Sequence, residues 1–98
     1  MGGVDDLRAV FGARVRALRR ERQFSQETLA ERADLHWTYV SDLERGQQTP
    51  TLDVVNRLAR ALRVSLAELF APFDQAFRAR RRRVRADHRR GTRKKTAS

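Results

Sequence analysis

A run of short apolar stripes at helical spacing constrains this chain most; each later stripe is opened by a residue suited to capping a helix. Leu7, Phe11, Val15 and Leu18 step by four, four and three, which places them on one face of a first helix. Ser25 caps a second helix with Leu29, Ala30 and Ala33 turned inward, and Asp34 interrupts it. A third runs from His36 to Arg45, buries Val40 and Leu43, and stops at Gly46, the residue type best able to take a left-handed cap. Thr51, after Pro50, opens a fourth with Leu52, Val55, Leu58, Ala59 and Leu62 inward. Ser65-Leu66-Ala67-Glu68 reads as a capping box that opens a short fifth helix, with Leu69 and Phe70 behind it. No alternating run bounded by turn dipeptides reads as a strand. The expectation is an all-α, compact five-helix bundle.

A chain of 98 residues has room for one core, and so small a domain gains stability by pairing with a second copy. It has no cysteine, which excludes disulfides and thiolate metal sites and fits a reducing cytoplasm. Met1 to Asp6 carries acids where a secretory signal would be basic, and Asp6 stands where a myristoylation motif needs Ser or Thr after Gly2. No apolar run approaches the roughly 18 residues of a membrane span. These features predict a cytoplasmic protein with no membrane partner.

The net charge of +10 is unevenly distributed. Residues 78–98 carry eleven Arg or Lys and one acid, Asp87, while residues 1–77 hold eleven of each sign. The chain therefore divides into a nearly neutral domain, 1–72, and a basic C-terminal extension, 73–98, partly helical and then disordered beyond Gly91. Pro72 argues for a break before that extension, and helix to about Arg85 would put Phe73, Phe77 and Val84 along it. On charge alone DNA, RNA and acidic lipid are all open as partners of the tail.

Helices two and three, joined by a turn of three or four residues, match helix-turn-helix geometry. The residues Ser25-Gln26-Glu27-Thr28-Leu29-Ala30-Glu31-Arg32-Ala33 and Tyr39-Val40-Ser41-Asp42-Leu43-Glu44-Arg45-Gly46 resemble the phage-repressor and Cro (XRE-type) helix-turn-helix regulators. The resemblance continues through Thr49-Pro50-Thr51-Leu52 to Val64-Ser65-Leu66-Ala67-Glu68-Leu69. The stretch His36 to Asp42 also looks like the controllers of restriction–modification systems. The resemblance implies a lambda-repressor-like fold and a transcriptional regulator, repressor or controller, that binds double-stranded DNA as a homodimer on a pseudo-palindromic operator.

A recognition helix entering the major groove turns its N-terminal residues to base edges, which offers Trp37, Thr38, Ser41 and Asp42 as base contacts. Thr38 can donate, accept or meet a thymine methyl, and Asp42 can accept from a cytosine amino group. Ser25, Gln26, His36, Tyr39, Arg45, Gln47 and Thr49 are the backbone-contact candidates; the family's glutamine at the position of Gln26 binds phosphate, and Tyr39 is equally open to packing. The resemblance implies an ion pair between Glu44 and Arg19. Arg80, Arg81, Arg82 and Arg83 are the tail's DNA-contact candidates. Leu66, Leu69, Phe70 and Phe73 are the dimer-seam candidates, and Phe73 with Phe77 is equally open to tail docking.

The sequence departs from the family at three places. Gln23 and Asp34 replace common glycines, and Trp37 stands where related controllers present a basic residue. Nothing in the sequence supplies a phosphate-cradling loop, a metal-ligand cluster or a nucleophile–base set, so no catalytic residue, metal or cofactor is expected. His36 reads as a cap or phosphate neighbour, and His88 as a solvated tail residue. The competing reading from a different class is an antitoxin-type interaction module whose basic tail binds an acidic partner. A third is an RNA-associated or coactivator use of the same fold.

Overall fold

The computed structural model describes residues 6–74. Over them the chain forms α1 (Leu7–Glu21), α2 (Gln26–Ala33), α3 (Trp37–Glu44), α4 (Leu52–Leu62) and α5 (Leu66–Leu69). The caps fall where the sequence offered them. Ser25, Thr51 and Ser65 accept hydrogen bonds from the backbone N–H of Thr28, Val54 and Glu68 at 3.0, 3.2 and 3.0 Å. His36 caps α3 through Nδ1, which accepts from the N–H of Thr38 at 3.3 Å. Asp6 does the same for α1 through Ala9, a cap not anticipated from sequence.

The helix ends share one device. Gln23, Asp34 and Arg63 take φ of 59°, 58° and 58°, and Gly46 takes 77°. After each, the next N–H reaches back five residues to a carbonyl: Phe24 to Arg19, Leu35 to Ala30, Gln47 to Asp42 and Val64 to Ala59, at 2.8–3.1 Å. These are the bonds that satisfy the orphan carbonyls of a helix C-terminus. Three of the four positions accept a side chain in a region where glycine is cheaper by roughly 1 kcal/mol.

The core is assembled from every helix. Val15, Leu29, Val40, Leu43, Leu58, Leu62 and Leu69 are fully enclosed, with Phe11, Leu18, Ala30, Ala33, Val55 and Ala59 around them. Gly12 fixes how closely α1 crosses α3. A Cβ there would stand 2.2 Å from the Leu43 carbonyl oxygen and 2.9 Å from that of Glu44, so no larger residue fits without parting the helices.

Two expected core residues are not in the core: Leu7 is 58 % exposed and Leu52 85 %. Each is the first residue of its helix. Helical side chains lean toward the N-terminus, so a first residue leans past the end of its element rather than onto a neighbour.

The break before the extension falls at Phe70 rather than at Pro72. The chain turns there and is helical again at 71–74, with Pro72 in the first turn of that segment, where its missing N–H is no loss. Phe70 and Phe73 pack on the core, their ring centroids 5.6 and 6.3 Å from that of Phe11 and 5.4 Å from each other. The packed unit therefore reaches at least Phe73. Of the four seam candidates, Leu69 is corrected: it is wholly buried within the monomer and has no surface to present. Phe77, Val84, His88, Arg80 to Arg83 and the segment beyond Gly91 lie outside the described residues.

Candidate nucleic-acid interface

The site is built on α3, whose eight residues, with the C-cap Arg45, divide cleanly by angle. At 100° per residue, Tyr39, Val40, Leu43 and Glu44 fall on one side of the helix and Trp37, Thr38, Ser41, Asp42 and Arg45 on the other. Burial follows that division. Val40, Leu43 and Glu44 are buried and Tyr39 is half-buried against the core. Trp37, Thr38 and Arg45 are exposed, and Ser41 and Asp42 are half-buried between them. Partial burial also pushes the Tyr39 phenol above its ordinary pKa, in keeping with a ring packed into the bundle. All four base-contact candidates thus share one outward face.

Glu44 closes the inward side. Its carboxylate accepts from Arg19 of α1 in a two-pronged pair, Nε to Oε2 at 2.7 Å and Nη2 to Oε1 at 3.0 Å. The side chains of Arg19 and Glu44 are only 11 % and 2 % exposed. Arg19 spends a third donor on the Phe24 carbonyl at 2.9 Å. Gln26, the first residue of α2, donates its amide to Glu44 Oε1 at 3.0 Å. Burying these charges is offset by the hydrogen bonds around them, and the result is a joint between α1, the start of α2 and the end of α3.

Apart from Tyr39, which packs against the core, the phosphate-contact candidates fall into two groups. Ser25 and Gln26 at the start of α2 lie beside the end of α3, where Arg45, Gln47 and Thr49 follow. His36 stands at the opposite end of α3. Between the groups the helix runs about 12 Å, comparable to the width of a major groove. Gln26 keeps one amide N–H beyond the one given to Glu44, and the backbone N–H groups of the first turn of α2 are the anion-binding kind. Ser25 and Gln47 are partly engaged already: the Ser25 hydroxyl donates to Thr28 Oγ1 at 3.0 Å, and the Gln47 amide donates to the Arg45 carbonyl at 3.3 Å.

Three positions that shape this interface were missed from the sequence. Gly12 sets the seat of α3, and its signal was a glycine inside an otherwise strong helical stripe. Arg57 of α4 steadies the turn between α2 and α3 by donating to the Asp34 carbonyl at 3.0 Å, and it pairs with Asp53 at 3.0 Å. Arg22 donates to the Leu62 carbonyl at 2.7 Å and fastens α4 to the end of α1. The i, i+4 spacing of Asp53 and Arg57 announces their pair, but no local pattern announces the carbonyl contacts of either arginine, because those partners lie far along the chain.

A family model described as helix-turn-helix matches residues 15–69. The chain belongs to that family of DNA-binding transcriptional regulators. It is similar to the HTH-type transcriptional regulator y4dJ of Sinorhizobium fredii, 40 % identical over 70 residues that cover 71 % of this chain and 91 % of that protein. It is also similar to the control protein C.BamHI of Bacillus amyloliquefaciens, 41 % identical over 66 residues covering 66 % of this chain and 82 % of that protein. Among solved structures, the restriction-modification controller protein C.AhdI from Aeromonas hydrophila matches with a TM-score of 0.63 and 43 % identity, covering 64 % of this chain and 96 % of that one. The resemblance to phage-type and controller regulators read from His36–Asp42 and the flanking helices is thereby met, as is the all-helical fold. Among the described residues no helix is long and apolar enough to cross a membrane, and no group of His, Cys, Asp or Glu could hold a metal ion.

Proposed function

We propose that this regulator acts in the cytoplasm as a homodimer on a pseudo-palindromic operator, with α3 of each copy in the major groove and half-sites about one helical turn apart. The observation that carries this reading is the single outward face of α3, where Trp37, Thr38, Ser41, Asp42 and Arg45 stand together. Ser25, Gln26, His36, Gln47 and Thr49 flank that face and serve the sugar–phosphate backbone.

One recognition helix reads only a few base pairs, so useful selectivity calls for two copies. Leu66, 49 % exposed, is the centre of the proposed seam, with the exposed edges of Phe70 and Phe73 beside it. The basic extension, with Arg80 to Arg83, adds phosphate contacts that carry no sequence information. Selection of duplexes from a random pool, followed by sedimentation with the selected duplex, tests the reading. It expects a two-fold symmetric consensus and two chains per duplex. A monomer at tens of micromolar that binds a half-site one-to-one contradicts it.

A further inference from the structure

Arg45, the residue that caps the end of α3, folds its side chain back along the helix. Its Nη1 donates to Ser41 Oγ at 3.0 Å and its Nη2 donates to Asp42 Oδ1, forming an ion pair. These partners lie four and three residues earlier, so the guanidinium is drawn back about 6 Å along the helix, toward the end that enters the groove. Arg45 is 62 % exposed at its side chain and Asp42 31 %. Exposed pairs of this kind contribute little to stability, so the consequence of the pair is one of position. It also explains how an acid is tolerated on a face that meets DNA, since the arginine neutralises it.

We propose that Arg45 is the base-reading residue of this face, taking a guanine through its O6 and N7, and that Asp42 and Ser41 are positioning residues that hold it. The proposal rests on the major-groove reading of α3 given above, and within that reading it reassigns both residues. Arg45 moves from phosphate to base, and Asp42 moves from cytosine reader to holder of Arg45. A guanidinium has five N–H donors in a planar fork. Two are used here, leaving Nε–H and one N–H on each terminal nitrogen, enough for the two-pronged contact with guanine that is the commonest specific contact in the major groove. Ser41 accepts from Arg45, so its own O–H is left to donate to a neighbouring base.

The test uses the full chain and duplexes it selects from a random pool, then every single-base-pair variant of the selected site. For the wild type, replacing one G·C pair in each half-site should weaken binding roughly tenfold to a hundredfold. Arg45→Ala should flatten that column of the variant set while leaving the preferences at other positions. Asp42→Ala should flatten the same column in part, Asp42→Asn should retain more of it through its acceptor oxygen, and the double variant should match Arg45→Ala. Affinity for unselected duplex should not fall in Asp42→Ala, which a merely structural role would not guarantee. Two results overturn the proposal. Arg45→Ala weakening all duplexes by one common factor returns Arg45 to phosphate. A separate base preference lost with Asp42 in the Arg45→Ala background makes Asp42 a reader in its own right. If the wild type itself selects no preferred duplex, the groove reading fails with it, and that failure is distinguished by appearing before any variant is made.

Discussion

Gln26 donates its side-chain amide to Oε1 of Glu44 at 3.0 Å, so the first residue of one helix and the last of the next are held through a carboxylate that also grips Arg19. The residue best placed to meet a phosphate is thereby fixed relative to the helix best placed to meet bases. On the proposed reading, the phosphate contact and the base contacts therefore move as one unit.

This joint should dominate the response of the fold to mutation. Glu44→Ala leaves Arg19 buried without its counter-charge, and removing one partner of a buried pair costs about 3–5 kcal/mol. Thermal or urea unfolding monitored by circular dichroism should show a loss on that scale. Gln26→Ala removes one hydrogen bond to a charged group and should lose about 1.5–3 kcal/mol at most. Equal and small effects from both would mean the pair is not the joint described.

Gly12 offers a second check on how α3 is seated. Gly12→Ala sets a Cβ against backbone carbonyls that cannot swing aside. Overpacking of this kind costs about 1–3 kcal/mol, and the variant should also bind duplex more weakly, because α3 moves with it. Unfolding and binding measured on the same preparation decide the matter.

The left-handed helix ends predict the opposite sign. Gln23→Gly and Arg63→Gly remove a Cβ from positions at φ of 59° and 58° and should each stabilise the domain by up to about 1 kcal/mol. The transition should shift upward in melting experiments, with no change in which duplex is preferred.

Much of this was readable from residues alone, and what was not has a physical reason. Caps at Ser25, His36, Thr51 and Ser65 and the inward residues of α2 and α3 follow from local rules of spacing and hydrogen bonding, which is why they were legible. Leu7 and Leu52 matched the same spacing, yet periodicity reports a face and not whether anything covers it. Leu69 reads as a seam residue because a count of apolar residues cannot tell a last core layer from a surface, and it is fully buried. The i, i+3 spacing of Asp42 and Arg45 permits a pair on one helix face, but spacing alone does not say that Arg45 spends its guanidinium there rather than on a phosphate. The Arg19–Glu44 pair was available only through resemblance to a family; its 25-residue separation leaves no local signature.

The basic extension carries its own expectation. Residues 1–77 are balanced in charge, so long-range attraction to DNA comes from local patches or from the tail. Each phosphate neutralised contributes about −0.9 to the slope of log affinity against log salt. Changing the arginines of residues 78–98 to glutamine should lower affinity for selected and random duplex alike and flatten the slope by several units. The ratio between the two affinities should change little. Unaltered affinity and slope would assign the tail to a different partner.

The most direct test of the central claim, that the outward face of α3 chooses the sequence while the start of α2 holds the backbone, compares two variants across one set of duplexes. Dissociation constants are measured for wild type, Thr38→Ala and Gln26→Ala on the selected site and all its single-base-pair variants at fixed salt. The account predicts that Thr38→Ala changes preference at a particular base pair by about 1–3 kcal/mol, while Gln26→Ala weakens every duplex by a similar factor. The same pattern from both variants, whether uniform or confined to one base pair, would contradict it.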